Sequence, residues 1–523
     1  MRSRFAILLA IAAVCVTAAS AGWTSDSLVT GSTGVWRYLR GRSSLHKVVF
    51  GTDRVGHLVW EGGPKSDAHP RIWYNRYNPG SGGRPGSWAA DFRVAPSQKN
   101  SGAGTPGIAL DGDGRTFHVV WNQGGGANRQ YDSLGYRKCT QDSKGKDKWG
   151  SVQYVYVGAW VGPPVVACVP NQANHVLVCW RQSPQSGKVT RLREYVNGAW
   201  QPVVRLDSTG PGPFGNAATA AAANGDVFVA YDGFEDGTSD RQIFVKTRHN
   251  GVWGEPVNVT AGFSCLQVGS MYEYDIGVNP ATNNPHLVFE AVTEVTPDTF
   301  AAVYHTYRNA SGVWTTPEVI SEPHRRAGLS PSRCYPTMAF AGNGTAHVVW
   351  VDSVPPESFG VVYGYCASEG GAWSTPELLT SYKPSGGKYI TVEESAHIVR
   401  VVWDRHLSDS PYCDQIWWKS NYLGDGDGPG AQPMALSQSG IELFPNPAKA
   451  GRVTVHYVLP HAGPMTVTLL DVSGRAVRRL ALDVRSSAEG SFALDVRGLN
   501  AGVYVARMKA GDLTVSKSLV VGR

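Results

Sequence analysis

His347-Val-Val-Trp350 is one of seven copies of a short strand that opens on a His or an aliphatic residue and ends on an aromatic. The other copies are His57-Leu-Val-Trp60, His118-Val-Val-Trp121, His175-Val-Leu-Val-Cys-Trp180, Val227-Phe-Val-Ala-Tyr231, His286-Leu-Val-Phe289 and Ile398-Val-Arg-Val-Val-Trp403. Their terminal aromatics stand 61, 59, 51, 58, 61 and 53 residues apart. A period of that length marks one supersecondary unit repeated along the chain.

Working outward from each copy, an apolar strand precedes it across a turn such as Asp111-Gly-Asp-Gly114, Ala223-Asn-Gly-Asp226 or Gly342-Asn-Gly344. Asn-Gly and Asp-Gly supply the positive φ angles that tight hairpins need. A third strand follows in most copies, then a Trp near a Pro, then a short fourth strand. Trp200-Gln-Pro202, Trp253-Gly-Glu-Pro256, Trp314-Thr-Thr-Pro317 and Trp373-Ser-Thr-Pro376 show the pattern. Four antiparallel strands repeated seven times predict an all-β, seven-bladed β-propeller. The seventh copy stops at its third strand, Gln415-Ile-Trp-Trp-Lys-Ser420, and lacks a fourth. Asp26-Ser-Leu-Val-Thr30 resembles the other fourth strands, so it is expected to complete blade seven and close the ring, leaving no major sheet edge.

The ends of the chain read differently. Arg2 and Arg4, the apolar run Phe5 to Val16 and Ala19-Ser20-Ala21 form an export signal over residues 1–21, with Cys15 inside the discarded part. Residues 22–423 are the propeller, and 424–440, rich in Gly, Pro, Ser and Gln, a linker. Residues 441–523 form a separate alternating β domain without Trp. No segment of the mature chain approaches the roughly 20 apolar residues of a membrane span.

Charge is unevenly placed. The chain totals +6, but residues 22–440 hold 35 basic and 36 acidic side chains, whereas the tail holds 11 basic and 6 acidic. The propeller has no basic field to draw nucleic acid, which is excluded as a partner. Seven cysteines remain after the signal, and export exposes them to oxidising conditions. Cys168 and Cys179 flank a hairpin turn and are expected to pair. No C-x-x-C motif occurs, and no metal or cofactor is assigned. The repeated His57, His118, His175, His286 and His347 occupy one repeat position on different blades, which architecture explains without a metal.

Leu443-Phe-Pro-Asn-Pro-Ala448, Asp471-Val-Ser-Gly-Arg475 and Ala501-Gly-Val-Tyr504 together resemble the type IX secretion C-terminal sorting domain, over about the last 80 residues. The resemblance implies an immunoglobulin-like sandwich, export across the outer membrane by the matching machinery, and an extracellular or surface-attached protein. The propeller repeats look like those of sialidase-type and polysaccharide-lyase propellers of exported bacterial proteins. Intact sialidase-like Asp boxes are absent, and Phe92-Arg-Val-Ala-Pro96 carries one residue more than the Phe-Arg-Ile-Pro segment of sialidases.

Propeller geometry directs the search for a site. The polar residues following each repeat aromatic, Glu61, Asn122, Arg181, Asp232, Glu290, Asp352 (after Val351) and Asp404, should ring one mouth of the channel. They either meet a ligand or hydrogen-bond the backbone of the next blade. Long lead-in loops to blades five and six add Cys265, Met271, Tyr272, Glu273 and Tyr274, then His324, Arg325, Arg326, Arg333, Cys334 and Tyr335. Blade seven adds Arg405 and His406. Arg, His and Tyr around one pit suit an extracellular glycan or protein ligand. The same set suits β-elimination of an acidic polysaccharide, with Arg neutralising the carboxylate and His or Tyr moving the proton. Hydrolysis needs a carboxylate pair instead, and a structural surface component needs none of these.

Overall fold

The computed structural model describes residues 23–24, 26–29, 35–39, 46–64, 71–79, 86–95, 101–125, 132–142, 145–158, 161–183, 189–207, 217–234, 241–261, 267–268, 274–295, 298–321, 324–325, 334–354, 358–380, 387–393, 397–409, 412–422, 440–444, 452–458, 464–472, 474–483, 489–511 and 513–521. The expected export signal, Cys265, Met271 to Glu273, Arg326, Arg333 and nearly all of the expected linker lie outside them, as do the side chains of His324, Arg325, His406 and Cys413.

Seven antiparallel sheets follow one another along residues 27–422. Blade three is the simplest statement of the unit: Val165–Cys168, His175–Gln182, Val189–Val196, then an outer strand in two pieces, Ala199–Trp200 and Val204–Arg205. Pro202 breaks that outer strand because it has no N–H for the ladder. Innermost strands touch their neighbours in sequence around the ring, and Val48–Phe50 of blade one meets Lys388–Glu393 of blade seven. The fold is a seven-bladed propeller.

The ring closes as the missing strand requires. Ser27–Leu28 pairs antiparallel with Tyr412–Tyr422, Leu28 standing opposite Trp417. Thr24 and Val29 donate backbone bonds to Ser420 and Ile416, both at 2.8 Å.

The core lies in the gaps between blades. Each of the seven gaps holds one apolar cluster, for example Val59, Ile72 and Tyr74 of blade one against Ile108, Phe117 and Trp121 of blade two. Five of the seven repeat aromatics, Trp60, Trp121, Trp180, Trp350 and Trp403, are fully buried, and Phe289 and Tyr231 are buried with them. Period-2 alternation makes this unavoidable, since every blade is covered on both faces and must be apolar on both.

Polar rivets cross the same gaps. Arg137, Arg193, Lys246 and Lys419, on third strands, each donate to a carbonyl on the outer strand of the preceding blade: Val94, Val155, Leu206 and Leu379. The repeat histidines are also structural. His57, His118 and His347 bond Tyr74, Tyr136 and Tyr363 on the adjacent strand at 2.7–2.8 Å, and His286 bonds His305 at 2.9 Å.

The expected Cys168–Cys179 bond is corrected. Cys168 stands opposite Val176 and Cys179 opposite Val165. The two cysteines are therefore offset by three residues, about 10 Å along the ladder. An odd offset also sends them to opposite faces: Cys168 packs towards blade two and Cys179 towards blade four. A disulfide needs Cα atoms within about 7 Å, and both thiols are free.

The tail is a second compact unit, from Pro429 to Arg523. Its three-stranded sheet (Gly440–Phe444, Arg452–Val458, Glu489–Asp495) and four-stranded sheet (Ala476–Asp483, Pro464–Leu470, Gly502–Ala510, Leu513–Val521) share one core. Val453, Val455 and Leu494 of the first meet Val467, Met508 and Leu519 of the second. Among the described residues no helix is long and apolar enough to cross a membrane.

Candidate functional site

The strand-end polar residues of the repeat are mostly buried, and their oxygens are in use. Glu61, 2% exposed, accepts the Thr105 N–H at 3.0 Å. Glu290, 0% exposed, accepts the Cys334 N–H at 2.8 Å. The first bond runs from a second strand to the register break inside the next blade's inner strand, Ser101–Leu110, and the second to the segment leading into Thr337–Phe340. Asp404 does the same across the ring closure, taking Leu39 N–H of blade one and Gly387 N–H of its own blade, both at 3.0 Å. Asn122 accepts the Thr105 hydroxyl at 2.8 Å, and Asp352 the Trp350 indole N–H at 2.9 Å. Tyr274 of blade five reaches Asp232 of blade four at 3.5 Å. Arg181 and Arg405 stand apart from this pattern, being only half-buried.

Two residues at these junctions have unusual backbone. Thr105 has φ of 43° and Tyr335 of 45°, and each precedes a proline. The left-handed region is costly for a β-branched or bulky side chain, and such outliers gather at functional sites. His324–Arg325 pairs with Phe300 and Ala301 at the end of blade five, which places these two residues beside that sheet.

Below the mouth the inner strands carry charge that the repeat pattern does not forecast. Lys47 precedes the inner strand of blade one, Asp275 lies on that of blade five, and Lys388 begins that of blade seven; all three are buried. The equivalent stretches elsewhere offer Gly107, Val165, Ala218 and Thr337. Lys47 donates to the Pro106 carbonyl and lies 5.7 Å from the Tyr389 ring centroid. Lys388 lies 5.5 Å from the Tyr335 ring. His46 Nε2 sits 3.7 Å from Asp275 Oδ1. Blades one and five are not neighbours, so that contact spans the channel.

Burial sets the titration of this axial group. It pushes Lys47 down to about 7, opposed by the nearby Glu61 charge. It pushes Asp275 up to about 6, opposed first by His46 and then by the Met338 and Ile276 N–H groups. These residues escaped the sequence analysis, which followed the second strands; the available signal was a charged residue where other inner strands have small or apolar ones.

The opposite face is made of short hairpin turns tied to one another. Gly114, Gly225 and Gly344 take φ of 67–91° in them. Thr52 N–H bonds the Gly114 carbonyl, Asn174 N–H the Asp111 carboxylate and Ala223 N–H the Asn283 side chain, each between neighbouring or nearby blades.

Fold and site thus define a propeller whose ring-facing acids are consumed in holding it together, followed by a separate sandwich. Residues 442–522 match the family described as the secretion system C-terminal sorting domain. This domain marks the protein for type IX export to the cell surface or the extracellular space. No curated protein sequence matches. Among solved structures, the chain is similar to the polysaccharide lyase Uly1 (11% identity, 76% of this chain and 99% of that one, TM-score 0.43). It is also similar to AofleA from Arthrobotrys oligospora (12%, 67% and 90%, 0.40) and to the phage phi92 endosialidase (9%, 77% and 69%, 0.40).

Proposed function

We propose that the protein is an exported propeller that binds an extracellular ligand, most simply a glycan, at the mouth where the second strands end. The observation that carries this reading is the commitment of Glu61, Glu290 and Asp404 to backbone N–H groups at the blade junctions. A glycoside hydrolase needs two carboxyl groups facing one space about 5–10 Å wide. Buried acids already holding the ring together serve that role poorly, whereas a binder has no need of them. Arg181, Arg405 and Tyr335, with His324, Arg325, Arg326 and His406, are the proposed ligand contacts. The tightly turned opposite face has little capacity to enclose a ligand.

A second reading, lyase action on an acidic polysaccharide, draws on the strained backbone of Tyr335. Tyr335 would then move the proton, with His324 or His406, while Arg325 and Arg326 hold the carboxylate.

The test is a glycan panel scored for both binding and cleavage. Binding that weakens at least tenfold in Arg325→Ala/Arg326→Ala and in Arg181→Ala, with no unsaturated product, supports the first reading. Unsaturated product that disappears in Tyr335→Phe supports the second. Binding indifferent to every one of these substitutions places the ligand elsewhere.

A further inference from the structure

We propose that the outward face of the tail's four-stranded sheet is a docking surface for an acidic protein surface of the export machinery. The proposal rests on the sorting assignment and adds to it which residues are read.

Alternation fixes the two faces of this sheet. Met465, Val467, Leu469, Ala506, Met508 and Leu519 point into the core, so Thr466, Thr468, Arg507 and Lys509 point outward. The register then assembles cross-strand rows. Thr468 stands between Arg479 and Arg507, and Arg507 faces Ser516. In the next row Thr466 stands between Ala481 and Lys509, and Lys509 faces Thr514. Arg479 and Arg507 are thus about 10 Å apart, and Lys509 lies about 7 Å beyond Arg507.

Three cations from two distant parts of the tail share a face whose nearest acid in the register is Asp483, opposite Pro464 on the adjoining row. All three are exposed and make no hydrogen bond or ion pair among the described residues. Other tail arginines are occupied: Arg497 pairs with Asp495, and Arg478 donates to the Val477 and Arg497 carbonyls. Like charges gathered on one sheet face lower stability, and a folded tail that keeps them exposed has a use for them in contact. The rest of both rows is Thr, Ser and Ala, which leaves a flat surface from which only the cations reach. A membrane-binding face would carry Trp, Phe or Leu anchors in number; these rows have none, and beyond them the same face holds the half-buried Leu470 and Val505 and the exposed pair Val503 and Val520. Charge complementarity points to a protein surface rich in Asp and Glu.

The experiment expresses the full chain in a type IX-competent bacterium and measures the fraction delivered beyond the outer membrane. Arg479→Glu/Arg507→Glu/Lys509→Glu should cut that fraction at least tenfold, while Arg479→Lys/Arg507→Lys should leave it unchanged. A control reversing or adding charge on the propeller surface, Arg115→Glu/Lys148→Glu/Val252→Glu, should export normally. Thermal melts of the purified chains establish folding; if the reversal variant does not fold, Arg479→Gln/Arg507→Gln/Lys509→Gln takes its place, with the same loss expected. A folded variant exported at the wild-type rate overturns the proposal. So does wild-type binding to vesicles of anionic phospholipid that these substitutions abolish, since the surface would then be a membrane site. Deletion of residues 441–523 must block export; if it does not, the sorting assignment fails rather than the face.

Discussion

The Glu290 carboxylate accepts the Cys334 backbone N–H at 2.8 Å, and through that bond the second strand of blade five holds the lead-in of blade six. Glu61 and Thr105 repeat the relationship between blades one and two, and Asp404 and Leu39 between blades seven and one. A carboxylate oxygen taking a buried N–H is a charge-assisted bond, roughly twice the strength of a neutral one. The positions that look most catalytic in the repeat are the ones that staple it.

Glu290→Ala should therefore cost about 1–3 kcal/mol, the penalty for leaving the Cys334 N–H buried without an acceptor. Glu290→Gln keeps an acceptor oxygen and should cost less. Denaturant unfolding of the two variants decides it. Equal, negligible losses would free Glu290 for a role at the mouth.

Removing residues 22–32 opens the ring. The variant loses the Thr24 and Val29 backbone bonds and the Ser27–Leu28 pairing, each bond contributing about 1 kcal/mol. It also uncovers Trp418, now 8% exposed in the gap between blades seven and one. A sharply lower melting temperature is expected. An unchanged melt would mean that the ring does not depend on this closure.

The axial Lys47 and Asp275 contribute two opposite limbs to the pH dependence of stability, read as differences between wild type and variant because the buried His57, His286 and His347, held well below their unfolded values, add a rise of their own on the acid side. Lys47 is held near 7, far below its unfolded value, so the unfolded chain binds more protons above that pH and stability rises as pH climbs. Asp275 is held near 6, above its unfolded value, so the folded chain binds the extra proton, and its contribution is present in acid and lost as pH rises through 6. Lys47→Met should remove its part of the rise above about pH 7, and Asp275→Asn should make the slope below about pH 6 more positive than in the wild type. Unfolding free energies from pH 5 to 9 for the three proteins test both limbs; variants that follow the wild-type curve refute the assignment.

Thiol labelling of the denatured, non-reduced protein should modify both Cys168 and Cys179. Each substitution to Ser then acts alone, and the paired substitution shows no coupling beyond about 0.5 kcal/mol, as distant independent sites do. A mapped Cys168–Cys179 peptide would require a different register in blade three.

Blade count, the closing strand and the sorting tail were all readable from the chain, because each rests on local information. A strand covered on both faces must be apolar, a tight hairpin needs Gly or Asn at positive φ, and His347-Val-Val-Trp350 meets the same demands in every blade. The absent fourth strand of blade seven and the spare segment at Asp26 were legible for the same reason. Tertiary structure alone decided what the polar residues do. Glu61 reads the same whether it faces a ligand or the N–H of Thr105, 44 residues on, because its partner is set by how blades abut. Cys168 and Cys179 look paired across a turn until the register offsets them by three residues. Lys47 and Asp275 become an axial group only when blades one and five face each other across the channel, which no local pattern encodes.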